Sequence, residues 1–172
     1  MPLPGRFNLD LNEPISPDVG LGGLRLRTSL IFIQKSITHA LVSRTGRYEM
    51  VDAFEARYYV AEGAVAIGVD IRNGKVFRLS AMRGYTGVLF GRVAVGMRVS
   101  EAFALVPNLY HNEALGLIKC RDPHQGDADI AGLAIDVGVD DPVPRLVPSM
   151  SIHAISVYIA NIFMEDGMNG TW

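Results

Sequence analysis

The sequence is poor in cysteine and has no long apolar run. Cys120 is the only cysteine among 172 residues, so an internal disulfide is excluded and nothing requires an oxidising compartment. No apolar stretch approaches the roughly 20 residues that a membrane helix needs. Residues 1–17 contain prolines and polar residues rather than a basic segment followed by an apolar one. We therefore expect a cytoplasmic protein with no membrane partner.

The short motifs of common enzyme chemistries are also missing. The glycines between residues 84 and 96 match neither a dinucleotide-binding fingerprint nor a phosphate-binding loop. His39, His111 and His153 are scattered, and no nucleophile lies beside a base in sequence. The net charge of −2 and the lack of a basic stripe argue against nucleic acid. We expect no catalytic residues, no cofactor and no nucleic-acid partner.

The composition nevertheless favours a folded domain. Hydrophobic residues make up 49% of the sequence and charged residues 20%, a balance that supports one sizeable core. Residues 1–18 are expected to form an extended lead-in and residues 19–163 a single domain. Residues 164–172 are polar and contain glycine, and are expected to form a mobile tail.

Two segments have the periodicity of a helix. The first covers residues 30–42, with Ser29 as the candidate N-cap, and the second begins near Val99 and ends before Pro107. Arg98 stands where a capping box would have Ser or Thr. In each segment, apolar residues recur every three or four positions along one face: Leu30, Ile33, Ile37 and Leu41, then Val99, Ala102, Phe103 and Val106.

Alternating apolar residues predict the strands. Residues 56–82 form three of them, and Asn73-Gly74 indicates a hairpin with a type I′ turn between residues 65–71 and 75–81. A short strand at 92–95 precedes the second helix. Three further strands are expected within residues 114–120, 130–139 and 151–159. The fold class is therefore α+β, a single domain with a largely antiparallel sheet of six to eight strands and two principal helices.

A short internal similarity links the two helical segments. When LGGLRLRTSLIF is set beside LFGRVAVGMRVSEA, Gly22 falls on Gly91 and the alternating apolar positions coincide. This similarity predicts a repeated strand, turn and helix. A single core is also predicted for residues that lie on the apolar sides of their elements: Val93, Val95, Val99, Phe103, Leu117, Leu133, Ile135, Ile155 and Val157.

Charge is unevenly distributed along the chain. Residues 1–121 carry a net +5 and residues 122–172 a net −7, and residues 122–141 contain six aspartates without any Lys or Arg. Such a segment forms either a partner-facing acidic surface or a solvated edge. The spacing of its acids does not match the calcium loop of an EF-hand, so we expect no metal. The candidate partner-binding residues are Asp122, Asp127, Asp129, Asp140 and Asp141, followed by the aromatic Tyr58 and Tyr85.

Residues 95–102, Val-Gly-Met-Arg-Val-Ser-Glu-Ala, resemble the Gly-Met-Thr-x-x-Glu-Val unit of BamE-like and β-lactamase-inhibitor-like domains. Those domains are small α+β modules that bind other proteins. The general layout is similar to that of bacterial immunity proteins, which accompany secreted antibacterial toxins. The resemblance implies a non-enzymatic inhibitor that occludes the active site of a cognate toxin. The alternative is a small-ligand-binding protein or enzyme that uses a cleft on the sheet.

Overall fold

The main element of the fold is an eight-stranded antiparallel sheet with two helices on one face. The computed structural model describes residues 7–138, 148–163 and 170–172. A two-stranded hairpin, β1 and β2, precedes the first helix, and the large sheet has the order β3-β4-β5-β6-β10-β9-β8-β7. The strands are β1 Gly20–Leu21, β2 Leu24–Arg25, β3 Arg47–Met50, β4 Glu55–Val60, β5 Val65–Asp70, β6 Lys75–Ala81, β7 Leu109–Asn112, β8 Leu117–Cys120, β9 Leu133–Asp136 and β10 Ala154–Tyr158. The predicted α+β class with a largely antiparallel sheet is confirmed.

Both predicted helices are present. Helix α1 spans Leu30–Val42, and its buried face consists of Ile33, Ile37 and Ala40. Ser29 precedes it in an extended conformation, but its side chain makes no capping hydrogen bond. The helix is therefore held by the burial of its apolar face rather than by a cap.

Helix α2 spans Val99–Leu105 and ends two residues before Pro107, as the sequence predicts. At its N-terminus, the backbone N–H of Arg98 donates to Oε2 of Glu101 at 3.4 Å, which is one half of a capping box. Val99 and Ala102 are buried, whereas Phe103 is only partly so. Most of the residues predicted to share a core do so, but Val95, Phe103 and Leu117 are half-buried.

The hairpin at Asn73-Gly74 exists, but its predicted turn type is wrong. Asp70 pairs with Lys75, which leaves a four-residue connection instead of a two-residue one. Gly74 has a φ of +68°, whereas Asn73 does not have the positive φ that a type I′ turn requires. The Asn73 side chain instead accepts a hydrogen bond from the backbone N–H of Lys75 at 2.9 Å, which closes the turn locally.

The strand predicted at residues 92–95 is also wrong. Only a single bridge joins Leu89 to Val93, and the residues between them form a turn. Phe90 and Gly91 have φ values of +53° and +68°, which take the backbone out of the extended region. The alternation of apolar residues here reflects the burial of Val93 beneath a turn rather than a strand.

The two halves of the chain share one plan, although the predicted repeat of strand, turn and helix is wrong in its strand, since residues 92–95 form none. Each half has a helix followed by four antiparallel strands, so β3 to β6 correspond to β7 to β10. At the start of α1, the N–H of Leu30 donates to the carbonyl of Gly74 at 2.7 Å. At the start of α2, the N–H of Val99 donates to the carbonyl of Met150 at 2.8 Å. The same hydrogen bond therefore attaches each helix to the segment that precedes the last strand of its half.

An approximate two-fold axis passes between β6 and β10, the last strands of the two halves. Ser80 pairs with Ser156, and their hydroxyl oxygens lie 2.7 Å apart. On either side of this pair, Leu79 faces Val157 and Ala81 faces Ile155. The equivalent serines of the two halves thus meet at the centre of the sheet.

Segments outside the sheet are anchored to it. Ile15, within the predicted lead-in, is buried and its N–H donates to the carbonyl of Val88. Trp172, predicted to lie in a mobile tail, packs edge-on against Phe77 with ring centroids 6.5 Å apart. Its indole Nε1 donates to the buried carboxylate of Asp70 at 2.9 Å. The last residue of the predicted tail therefore lies against the sheet, and residues 164–169 lie outside the described part of the chain.

Candidate functional site

The two faces of the large sheet differ in composition. One face carries Ile67, Leu79 and Leu133, which belong to the same buried cluster as the apolar faces of α1 and α2. Because side chains alternate along a strand and directly paired residues share a face, the other face carries Arg78, Ser80 and their cross-strand neighbours. We call this second face the open face, since both helices lie on the opposite side; Trp172 covers one end of it, against Asp70 and Phe77.

The centre of the open face is made of small residues. Ala66, Ser80, Ser156 and Ala134 follow one another across the four central strands β5, β6, β10 and β9. In the adjacent row, Gly68 lies beside Arg78. A Cβ at Gly68 would lie 3.0 Å from Cβ of Arg78, so the glycine makes room for that side chain. We call this row of small residues, with longer side chains on both sides, the trough.

One wall of the trough contains an ion pair with a buried carboxylate. Glu55 is only 3% exposed, and its Oε1 accepts from Nε and Nη2 of Arg57 at 2.8 and 2.7 Å. Burial by itself lowers the pKa of Arg57, but the hydrogen bond and charge of Glu55 outweigh it, so that pKa is raised. Arg57 is therefore fixed as a cation at the edge of the trough.

Arg78 lies at the centre of the open face and has few partners of its own. Its guanidinium carbon lies 5.7 Å from the ring centre of Tyr158 and 5.8 Å from that of Phe77. Its Nε is buried, and no described residue accepts a hydrogen bond from it. Burial lowers the pKa of Arg78, against the opposing effect of the Glu55 carboxylate. The side chain remains charged, because an arginine starts from a very high pKa.

A third cation comes from the second half of the chain. Lys119 is only 8% exposed, and its Nζ donates to the hydroxyl of Tyr158 at 2.9 Å and to the carbonyl of Leu133 at 3.0 Å. Tyr158 therefore lies between Lys119 and Arg78 and touches both. Three cations and one buried carboxylate, Glu55, surround the trough and give it a net positive charge.

The two outer edges of the open face are polar and aromatic. On β4, the hydroxyl of Tyr59 donates to Glu49 at 2.7 Å, which lowers the pKa of that carboxyl, and Arg47 covers the ring at 3.6 Å. On β7, the hydroxyl of Tyr110 donates to the carboxylate of Asp129 at 2.8 Å. This second edge joins the open face to the acidic loop at residues 121–130.

The acidic residues predicted to bind a partner are only partly brought together. Asp129 pairs with Arg121 across the loop, on the open-face side, and the nearby Asp127 side chain is 99% exposed. Asp122 lines a different pocket, beside Cys120 and His124, and its carboxylate accepts from the N–H of His124. Asp140 and Asp141 lie outside the described residues.

The two aromatic candidates do not belong to this surface. Tyr85 is 3% exposed, and its hydroxyl donates to the carbonyl of Glu13 at 2.7 Å, so it is a core residue and the prediction is corrected. Tyr58 stacks on Tyr48 with ring centres 6.1 Å apart. Because Tyr58 pairs with Ile67, it lies on the helix side of the sheet. Its alternation with Tyr59 indicates that the neighbouring tyrosine is the one on the open face.

Sequence reasoning missed Arg78, Lys119 and Tyr158. Arg78 and Ser80 alternate with Phe77 and Leu79, a period of two that marks a polar face of the sheet. The sequence therefore contains a signal for the polar face. It contains none for the convergence of Lys119 and Tyr158 on Arg78, because that depends on strands distant in sequence.

Cys120 and the acidic loop are the other places where the sequence offers groups for chemistry. Burial is the main cause that raises the pKa of the Cys120 thiol, and the nearby Asp129 and Asp122 carboxylates raise it further, which disfavours the reactive thiolate. Within residues 7–138, 148–163 and 170–172, no group of three His, Cys, Asp or Glu side chains is arranged to hold a metal ion.

A separate cavity of about 380 Å³ lies between α1 and the sheet. Its walls are mainly apolar, with contributions from Ile33, Ile37 and Ile67. Phe7 closes one side, since its backbone N–H donates to the hydroxyl of Ser36 on α1 at 3.0 Å. The cavity lies on the face opposite the open face.

No helix in the described ranges is both long and apolar enough to span a membrane. No protein-family model matches the sequence, and no curated protein matches it. Among solved structures, the chain is similar to the uncharacterized protein YfeY from Escherichia coli, with 15% sequence identity and a TM-score of 0.47 over 84% of this chain and 99% of that one.

Proposed function

We propose that the chain is a non-enzymatic protein-binding module whose open face contacts the partner. The observation that carries this proposal is the asymmetry of the sheet: one face is covered by both helices, and the other presents a trough of small residues bordered by arginine, lysine and tyrosine. Arginine and tyrosine are enriched where proteins bind one another. The resemblance of residues 95–102 to protein-binding α+β modules points the same way.

The open face is large enough for a specific interface. Eight strands spaced about 4.8 Å apart span roughly 34 Å, and about five residues per strand span roughly 17 Å. The projected area is therefore on the order of 600 Å². A typical specific complex buries about 800 Å² on each partner, so the face and its borders suffice for such a contact.

The most specific form of the proposal is an immunity-type inhibitor that occludes the active site of a secreted bacterial toxin. The acidic loop supports this form, since Asp127 and Asp129 lie at the border of the open face. A toxin that acts on an anionic substrate has a basic site, and acidic side chains speed encounter with such a site. In this arrangement the loop faces the toxin's basic residues, and the open face supplies the rest of the contact.

Photocrosslinking in cells of the source organism tests which face meets a partner. A photoreactive benzoylphenylalanine replaces Leu117, on the open face of β8, in one variant and the exposed Lys35, on α1, in the other. We expect a discrete adduct from position 117 and none from position 35. Mass spectrometry then identifies the partner.

The outcome separates the two parts of the proposal. Adducts from position 35 alone, or from neither position, would contradict binding through the open face. If the captured partner is a toxin, one equivalent of the purified protein should abolish its activity. If the protein does not change the activity of the captured partner, the chain remains a protein-binding module, but the inhibitor form of the proposal is excluded.

The cavity beneath α1 supports a second candidate, the binding of a small apolar molecule. Its volume of about 380 Å³ lies at the lower end of the range for ligand pockets. Ser36 and His39 contribute the polar groups at its walls. Native mass spectrometry of the protein purified from its own cells would reveal a retained ligand, and the absence of any added mass would argue against this candidate.

A further inference from the structure

Arg78 has the features of a binding group that lacks its partner. Its Nε is buried without an acceptor in the described part of the chain, whereas the neighbouring Arg57 is fully engaged by Glu55. A buried donor without an acceptor costs free energy, and natural proteins rarely retain one without a reason. The guanidinium lies on the open face beside the trough, next to the rings of Tyr158 and Phe77.

The charges around Arg78 define what that group is. Arg57, Arg78 and Lys119 supply three positive charges beside the trough, and Glu55, which is paired with Arg57, supplies one negative charge. Lys119 is already satisfied by Tyr158 and Leu133. The remaining donors belong to Arg78, and their planar fork matches the two oxygens of a carboxylate.

Building on the proposed function, we propose that Arg78 receives an Asp or Glu side chain of the partner protein, inserted into the trough above Ser80 and Ser156. The floor of small residues leaves room for the incoming chain, and Gly68 keeps the space beside Arg78 open. A flat sheet face with a shallow trough suits a side chain that projects from a large surface. The contact lies at the centre of the interface, where water is excluded and charge pairs are strongest.

Nuclear magnetic resonance with arginine labelled at Nε tests the site without knowledge of the partner. A buried Nε–H exchanges slowly with water, so Arg78 should give an observable signal of its own. The probes are two blocked tripeptides, acetyl-Gly-Glu-Gly-amide and acetyl-Gly-Gln-Gly-amide, at millimolar concentrations. We expect the glutamate peptide to shift the Arg78 signal saturably and the glutamine peptide to leave it unchanged.

Two variants assign the effect to Arg78. Arg78→Gln should weaken binding of the glutamate peptide at least tenfold. Arg92→Gln, which removes an exposed arginine whose Nη1 donates to the carbonyl of Leu105 at 3.1 Å, should leave binding within twofold of the original. If Arg78→Gln does not fold, two other measurements test the site. One is the Arg78 signal of the unmodified protein, and the other is peptide binding by Arg78→Lys, which keeps the charge but loses the fork.

Several results would overturn the inference. Equal shifts with both peptides would show contact with the peptide backbone, and no shift with either would show that Arg78 does not bind a carboxylate. A larger response to free glutarate than to the glutamate peptide would assign the site to a small molecule. A crosslinked adduct from position 117 together with any of these results would leave the protein-binding face in place and reject only the role of Arg78.

Discussion

Replacing Trp172 by alanine tests how the C-terminal end of the chain is held. Trp172 is the only tryptophan in the sequence. Its indole donates to Asp70 at 2.9 Å, its ring meets Phe77 edge-on, and Lys75 lies 5.9 Å above the ring centre. The variant removes all three contacts and leaves Asp70, which is fully buried, with one donor fewer.

The magnitude follows from the two main contacts. A hydrogen bond to a charged group contributes about 1.5–3 kcal/mol, and an edge-on aromatic pair about 0.5–1.5 kcal/mol. Because Trp172 is partly exposed, we expect the lower end of the sum, roughly 2 kcal/mol. For a protein of this size, that loss lowers Tm by about 4–8 °C.

Thermal unfolding followed by circular dichroism measures the loss, with Trp172→Phe as the matched control. Phenylalanine keeps a ring against Phe77 but loses the N–H, so its cost should be about 1.5 kcal/mol. Tryptophan fluorescence gives an independent readout, since a packed indole emits at shorter wavelength in the native than in the unfolded protein. An unchanged Tm in Trp172→Ala, or identical native and unfolded emission, would show that the C-terminal residue is free.

Three further predictions concern pH and backbone space. Burial raises the pKa of Asp70, but bonds from Arg72 and Trp172 outweigh it and hold it below its ordinary 3.8. Its contribution to stability is therefore present above about pH 4 and lost as pH falls through the folded pKa. The free energy of unfolding of Asp70→Asn in urea should depend less on pH in acid than that of the original protein, and parallel pH curves for the two proteins would refute this. Burial raises the pKa of Tyr85 to about 12, so stability should fall as pH rises from about 10 to 12, and Tyr85→Phe should remove that fall. A Cβ at Gly132 would lie 2.1 Å from the Tyr158 carbonyl oxygen, whereas a Cβ at Gly126 would meet open space. In chemical denaturation, Gly132→Ala should therefore lose about 3 kcal/mol or more of unfolding free energy, and Gly126→Ala about 1 kcal/mol. Equal losses in the two variants would contradict the close approach at Gly132.

Elements with local signals could be predicted from the sequence. The periodicity of Ile33 and Ile37 gives α1 its bounds, and the apolar alternation of β5 and β6 gives the central hairpin. The strands β3 and β7 were missed, because they lie at the two edges of the sheet and carry few buried residues. An edge strand has little need of apolar alternation, so it leaves a weak pattern.

The candidate site could be predicted only in part. The polar alternation of Arg78 and Ser80 is visible in the sequence, but their environment is not. Tyr158 reaches Arg78 through the pairing of β6 with β10, and Lys119 arrives two strands further along the sheet. Tyr85 was misplaced for the same reason, since its burial depends on contact with Glu13, 72 positions away.

Blocking the trough tests the central claim most directly. Ala134→Phe places a ring on the floor of small residues without changing charge, and Gln34→Phe makes a matched change on the exposed side of α1. Both variants are titrated by calorimetry against the partner recovered by crosslinking, after their Tm values are compared with that of the original protein. We predict at least a hundredfold loss of affinity for Ala134→Phe, equivalent to about 2.7 kcal/mol, and a change within twofold for Gln34→Phe. Unchanged affinity in a folded Ala134→Phe protein would contradict binding through the open face.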